Sequence, residues 1–349
     1  MFNHEYVGNL HVHSIHSDGA GSIAELAGLA ANAGLDFISI NDHDYMKRNL
    51  GLEEEGFYGN VMVFVGLEMG RKSHHYLAFD LKEFIKADGL TPQEMIDRVN
   101  EQGGFGFLAH PFEKGMPFGK GEAYRWEDMS VTGYSGLCIW NFASRWKERI
   151  RTVFHGLYCL SFKGQSLKGP SRKTIALWDK LCQERRVGAI GGSDAHGSLF
   201  RWGPVNFVPL PYKYMFRTIN IHVLLNRKIF QDFKSGKQEI YEAIKKGRLF
   251  IAHDGLYPAK GFRFDFISDD GSDLVLGEEA EFHPGNLVVE LPEAGEIKLF
   301  KDGSLEATWR GMEGVYRVKE KGVYRVEVYR RIPLFGWRPW IFTNPIYLR

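Results

Sequence analysis

Five short apolar runs in this chain each end in metal-ligating side chains: Leu10-His11-Val12-His13, Asn41-Asp42-His43, Gly66-Leu67-Glu68, Ala109-His110-Pro111 and Ser193-Asp194-Ala195-His196. No other feature constrains the fold as much. Residues so far apart in sequence meet only where several strand ends converge, and the C-terminal rim of a β/α barrel gathers strand ends in that way. Histidine and carboxylate are the ligands of borderline and hard divalent metals. Alternation along a strand points His11 and His13 to one face, where they can grip one ion together.

The segments between the runs fit that frame. Ser22-Ile23-Ala24-Glu25 is a capping box, Ile23, Leu26, Leu29 and Ala30 form a helical apolar stripe, and Gly34 is the expected stop. Thr91-Pro92-Gln93-Glu94 is a second capping box with proline at the first helical position, and Gly103 is its expected stop. Strands are expected at 36–40, 61–65, 106–109, 136–140 and 187–190, with helices over 173–185 and 238–246. Strand, helix and strand in this rhythm imply a parallel sheet with crossover helices. Residues 200–235 are aromatic and basic and are expected to form an insertion over the barrel mouth.

After about residue 255 helical periodicity stops. Short alternating runs appear at 287–291, 296–300, 314–318 and 323–329, with a tight-turn signal at Lys301-Asp302-Gly303. The expected division is a barrel over 1–255 and an antiparallel β-sandwich over 256–349. The length of 349 residues is comfortable for two domains.

Composition excludes rather than assigns. A formal net charge of +1 gives no field argument for nucleic acid. No apolar run approaches the length of a membrane span. The N-terminus lacks a basic segment followed by an apolar one, so no signal peptide is expected and a cytoplasmic location is the default. Cys138, Cys159 and Cys182 show no disulfide framework or metal-type spacing and read as small buried hydrophobes. No Walker-type phosphate loop is present.

The five motifs, with Ser17-Asp18-Gly19, resemble those of the PHP (polymerase and histidinol phosphatase) family of metal-dependent hydrolases, over residues 7–200 and on to 255. The resemblance implies an α/β fold, a distorted (βα)7 TIM-like barrel, with two or three divalent ions (Mn, Fe or Zn) at its rim. It suggests His11, His13, Glu68 and Asp194 for a first ion, and Glu68, bridging, with His110 and His75 for a second. Asp18, His43 and His196 would hold a third. His75 is preferred to His74 because His75-Tyr76-Leu77-Ala78 resembles a short family segment and neighbours on a strand face opposite ways. His16 is a lesser candidate beside Asp18. The strand ending at Trp140-Asn141 lacks a carboxylate that relatives often carry there.

The implied activity is hydrolysis, first of all of phosphoesters, by a hydroxide bridging ions about 3.5–4 Å apart. Catalytic roles fall to Glu68, Asp194 and His196, either of the last two serving as proton donor. Lys114, Arg145, Lys147, Arg201, Arg217 and His222 are the candidate substrate contacts. A mouth lined by those cations favours phosphate, whereas an aromatic, uncharged mouth favours ester, carbamate or amide hydrolysis. A small-molecule ester is the expected partner, a homo-oligomer is open, and a metal-stabilised binding protein without turnover is the non-enzymatic alternative. The segment 338–347 resembles the closing stretch of PHP hydrolases with an appended β-domain. The basic, aromatic stretch 330–342 is expected to dock as a loop against the barrel, with a membrane-surface or partner site as the other reading.

Overall fold

Strand pairing in the computed structural model, which describes residues 4–119, 121–229 and 232–349, begins with a closed barrel. Its seven strands are β1 (His4–Val12), β2 (Phe37–His43), β3 (Val61–Met69), β4 (Tyr76–Phe79), β5 (Phe105–Leu108), β6 (Gly136–Asn141) and β7 (Gly188–Ala195), with β7 pairing back onto β1. β2 and β3 are buried at every position, which is why they read as unbroken apolar runs rather than alternating ones. Gly192 lies flush against β1: a Cβ there would sit 2.1 Å from the Leu10 carbonyl oxygen.

The barrel departs from a regular (βα)7 arrangement. β4 runs antiparallel to both β3 and β5. Residues 70–75 are the whole link between β3 and β4, far shorter than the dozen or so residues a parallel crossover needs, so the chain turns back as a hairpin. The helices are also fewer. α1 (Ile23–Ala33) links β1 to β2 and α2 (Pro92–Glu101) links β4 to β5. α3 (Phe142–Lys147), α4 (Val153–Ser161) and α5 (Arg172–Glu184) lie between β6 and β7. Among the described residues no α-helix joins β2 to β3 or β5 to β6. Both capping boxes form, and Gly34 closes α1 at φ 80°.

The sheet does not stop at the barrel. β8 (Ile219–Leu225) pairs antiparallel with the first half of β1, and β9 (Leu249–His253) pairs with β8. α6 (Phe233–Lys245), capped by Asp232, connects them. β8 is thus a buried sheet strand beside His4–Gly8, not part of an insertion over the mouth; its alternation was masked by the aromatic, basic residues around it. Residues 230 and 231 of that stretch lie outside the described residues, as do residues 1–3.

Beyond β9 come β10 (Arg263–Ser268), β11 (Gly285–Lys301), β12 (Ser304–Val318), β13 (Gly322–Ile332), β14 (Gly336–Thr343) and β15 (Ile346–Leu348). β9 pairs with β14, β14 with β13, and β13 with the second half of β11. β11 shifts register between Glu290 and Gly295, and its first half pairs with β10 instead. The β11–β12 turn has Asp302 and Gly303 both at positive φ, the two-residue hairpin geometry that Asp-Gly favours. The stretch 330–342 is not a docked loop but the β13–β14 hairpin, whose inner residues Trp340, Ile341 and Phe342 are buried. One apolar core fills the barrel and its helices, and a second, including Phe264, Leu299 and Trp340, fills the later strands.

Candidate metal centre

The strand ends converge on one carboxylate. Glu68, at the end of β3, is 1% exposed, and its two oxygens face different histidines. Oε2 lies 3.0 Å from His11 Nε2, 3.2 Å from His13 Nε2 and 3.4 Å from His43 Nδ1. Oε1 lies 2.8 Å from His75 Nδ1 and 3.3 Å from His110 Nε2. Asp194 Oδ1 stands 3.4 Å from both His11 Nε2 and His13 Nε2. Asp18 closes the open side, 3.3 Å from His196 Nε2 and 3.7 Å from His43 Nε2.

Three groups have ligand atoms close enough to share an ion: His11, His13, Glu68 and Asp194; His43, Glu68 and His75; and His13, Asp18, His43 and His196. His110 reaches Glu68, but the second group draws on His43 instead. His74 turns away, accepting the Glu127 and Asp128 N–H groups at Nε2. His16 pairs with Glu54 outside the cluster.

The ring nitrogens show what this arrangement lacks. Both nitrogens of His11, Nε2 of His13 and of His75, and Nδ1 of His43 and of His110 are buried without a hydrogen bond. Each neutral imidazole can give one N–H to a carboxylate, but its other nitrogen is an acceptor that no carboxylate can satisfy and that a divalent cation would. The donor set therefore fits divalent ions. The backbone is strained at the same places: His11, Asp194 and His110 have φ of 70°, 57° and 30°. Residues other than glycine pay about 1–3 kcal/mol each to occupy that region. A bulge at His11 breaks the alternation of β1, so His11 and His13 reach Glu68 through this kink rather than by strand periodicity alone.

Charge follows the geometry. Burial raises the Glu68 carboxyl, but His11, His75 and His43 outweigh it and hold it well below the usual carboxylate range. Asp194 is lowered likewise, burial being overcome chiefly by His11, His13 and His196. Burial takes His43 down to about 4, whereas at His13 burial is outweighed by Asp194 and Glu68, which raise it.

Several positioning residues had no assigned role in the sequence. Glu113 is buried, lies 3.3 Å from His110 Nδ1, pairs with Lys147, and accepts Ser144 Oγ–H at 3.0 Å. Only its place three residues after His110 could have flagged it. Asp42 accepts the Ser14 N–H and Oγ–H, both at 2.7 Å, and fixes the His11–Asp18 loop. Asn141 Nδ2 donates to Asp194 Oδ2 at 3.2 Å, so the strand without a carboxylate still orients one. Tyr45 stacks on His43 and Tyr124 on His75.

The candidate substrate contacts divide. Lys147 is engaged by Glu113 beside the cluster. Arg145 is held by Glu148 and the Gly169 carbonyl. Lys114 is exposed, and Arg201 lies exposed on the hairpin that follows His196. Arg217 and His222 do not belong to the rim. Arg217 donates to the Asn32 carbonyl at the far end of α1, and His222 sits opposite Val7 on the other half of β1, between Glu5 and Asp254.

A barrel with a buried histidine–carboxylate cluster at its rim defines a candidate metalloprotein. The chain is similar in structure to a two-domain protein of Bacteroides vulgatus ATCC 8482 whose description infers a PHP-like metal-dependent phosphoesterase. That likeness has 14% identity and a TM-score of 0.48, covering 97% of this chain and 95% of that one. A protein of Bifidobacterium adolescentis ATCC 15703, described by inference as a metal-dependent phosphoesterase, has 15% identity and a TM-score of 0.32, covering 54% of this chain and 87% of that one. No family model and no curated protein matches the chain.

Proposed function

We propose that this protein is a metal-dependent hydrolase of the PHP type, acting on a phosphoester. The observation that carries the reading is the split of Glu68 between two sets of histidines with orphaned ring nitrogens. His11, His13, Asp194 and Glu68 would hold one ion, Glu68 with His75 and His43 or His110 a second, and Asp18, His43 and His196 a third. Divalent ions bound there supply Lewis acidity and bring the pKa of a water down to about 7. Glu113, within ion-pair distance of His110, and Asn141, donating to Asp194, would orient those two ligands toward an ion. With the third ion absent, His196, half-buried at the opening, would be free to pass a proton to a leaving group, while Tyr45 and Tyr124 stack on His43 and His75.

One observation favours a second reading. Lys147 and Arg145 are already paired with carboxylates, and two tyrosines flank the ligands, which suits an uncharged ester, carbamate or amide. The test is elemental analysis of anaerobically purified protein, paired with p-nitrophenyl phosphate, bis-p-nitrophenyl phosphate and a p-nitrophenyl carboxylic ester. Two to three ions with phosphate release support the first reading. The same metal with only carboxylic ester cleavage supports the second. Protein without stoichiometric metal overturns both.

A further inference from the structure

Two segments without a single acidic residue converge on one face of the molecule. Residues 149–178 carry Arg149, Arg151, Lys163, Lys168, Arg172 and Lys173 and no Asp or Glu. Residues 328–349 carry Arg330, Arg331, Arg338 and Arg349, again with no acid. In a chain whose net charge as a whole is +1, this is strong segregation. The segments touch where Phe162 packs on Phe335, ring centroids 5.1 Å apart, and where Arg338 Nε donates to the Gln165 carbonyl at 2.6 Å.

The apolar residues here point outward. In α4 the only buried side chain is Cys159, while Phe154 is 83% exposed and Leu157 48%. Phe154, Leu157, Tyr158 and Phe162 fall at the spacing of one helical face, and all four are exposed, so α4 is amphipathic with its apolar face toward solvent. The β13–β14 hairpin does the same. Leu334 at its tip is fully exposed and has φ 66°, a conformation that favours glycine or asparagine. A bulky apolar residue therefore holds a strained position where it buries nothing within the chain. Arg149, Arg151, His155 and Lys168 line the flank of α4 beside Tyr158.

We propose that α4 and the β13–β14 tip form a docking surface for an anionic lipid bilayer. The features are protruding apolar points ringed by cations, which enter the acyl boundary while the cations meet headgroup phosphates. A nucleic acid would use the charges but not Leu334 and Phe154. Lys114 and the Arg145–Glu148 pair, which line the same flank, come from the segments that follow His110 and Asn141, so docking brings the ligand-bearing side of the barrel toward the headgroups.

The experiment is density flotation of the full chain with vesicles of phosphatidylcholine alone or mixed equally with phosphatidylglycerol. The expected result is flotation with the mixed vesicles only, weakening as salt rises. Leu334→Glu with Phe154→Glu should lower the bound fraction roughly tenfold, and Arg149→Gln with Arg151→Gln severalfold. Both positions of the first pair are exposed, and unchanged melting of that variant confirms that the fold persists. Absence of flotation with either vesicle overturns the proposal. So does flotation that the glutamates leave untouched. Self-association abolished by Leu334→Glu, with no vesicle binding, overturns it in favour of a second copy of this chain.

Discussion

The two ends of β1 carry the same residue types in opposite conditions. At the rim, His11 and His13 face Glu68 and Asp194 with ring nitrogens that no hydrogen bond satisfies. At the other end, His222 lies between Glu5 at 2.6 Å and Asp254 at 3.1 Å, one carboxylate on each nitrogen. Burial lowers His222, but Asp254 and Glu5 outweigh it and carry its pKa to about 9. It is a buried imidazolium with both protons placed. Histidine beside carboxylate therefore does not by itself mark a metal site. Unmatched nitrogens together with strained ligand backbone do, and of these two ends of β1 the rim is the one that has both.

The contrast can be broken most forcefully at Asp194. Asp194→Ala is expected to cut hydrolysis at least about a thousandfold and to lower metal content while the circular dichroism spectrum stays native. Retained turnover would erase the distinction between the two ends.

His222→Asn should do the reverse, leaving metal stoichiometry intact and lowering stability near neutral pH on the order of 2–3 kcal/mol. The sign follows from a raised folded pKa: the stabilisation is fully present below about 6.5 and is lost as pH rises through about 9. Thermal melts of the native chain should therefore decline across that window more steeply than those of the variant. Parallel curves would count against a charged His222.

Glu113→Gln sharpens the rim side. It keeps the shape but weakens the grip on His110, and metal affinity should fall about 10- to 100-fold by competition with a chelator. Asn141→Ala should have the smallest effect, a severalfold loss of turnover with unchanged metal content, since it removes one hydrogen bond to Asp194 together with the cap on the Ser144 N–H of α3. An equal loss from both would mean that neither orients its ligand.

Local signals were legible in the sequence. The capping boxes at Ser22 and Thr91, the stop at Gly34 and the turn at Asp302-Gly303 depend on neighbours within a few residues, and each forms. The ligand motifs were legible because each lies at the end of a short apolar run that is buried where it meets the rim. Strand direction was not. Nothing within Tyr76–Phe79 states that it runs antiparallel; that follows from the short link to β3 and from pairing with β5. Ile219–Leu225 was missed because its partner is His4–Gly8, more than two hundred residues away. The roles of Glu113 and Asn141 were hidden for the same reason, since each is defined by a side chain on another element.

The shared sheet has a consequence for the order in which the chain is made. β9 pairs on its outer side with Ile341, Phe342 and Thr343, and the Asn344 side chain then spans β7 and β9, accepting the Ala189 N–H and donating to the carbonyls of Ala189 and Leu249. A nascent chain that has emerged through β9, with every rim ligand already made, still has an unzipped edge beside its barrel. That edge stays open until some ninety further residues have left the ribosome, an exposed strand of the kind that recruits wrong partners. Slow translation across residues 254–344 would then prolong the exposure of that edge.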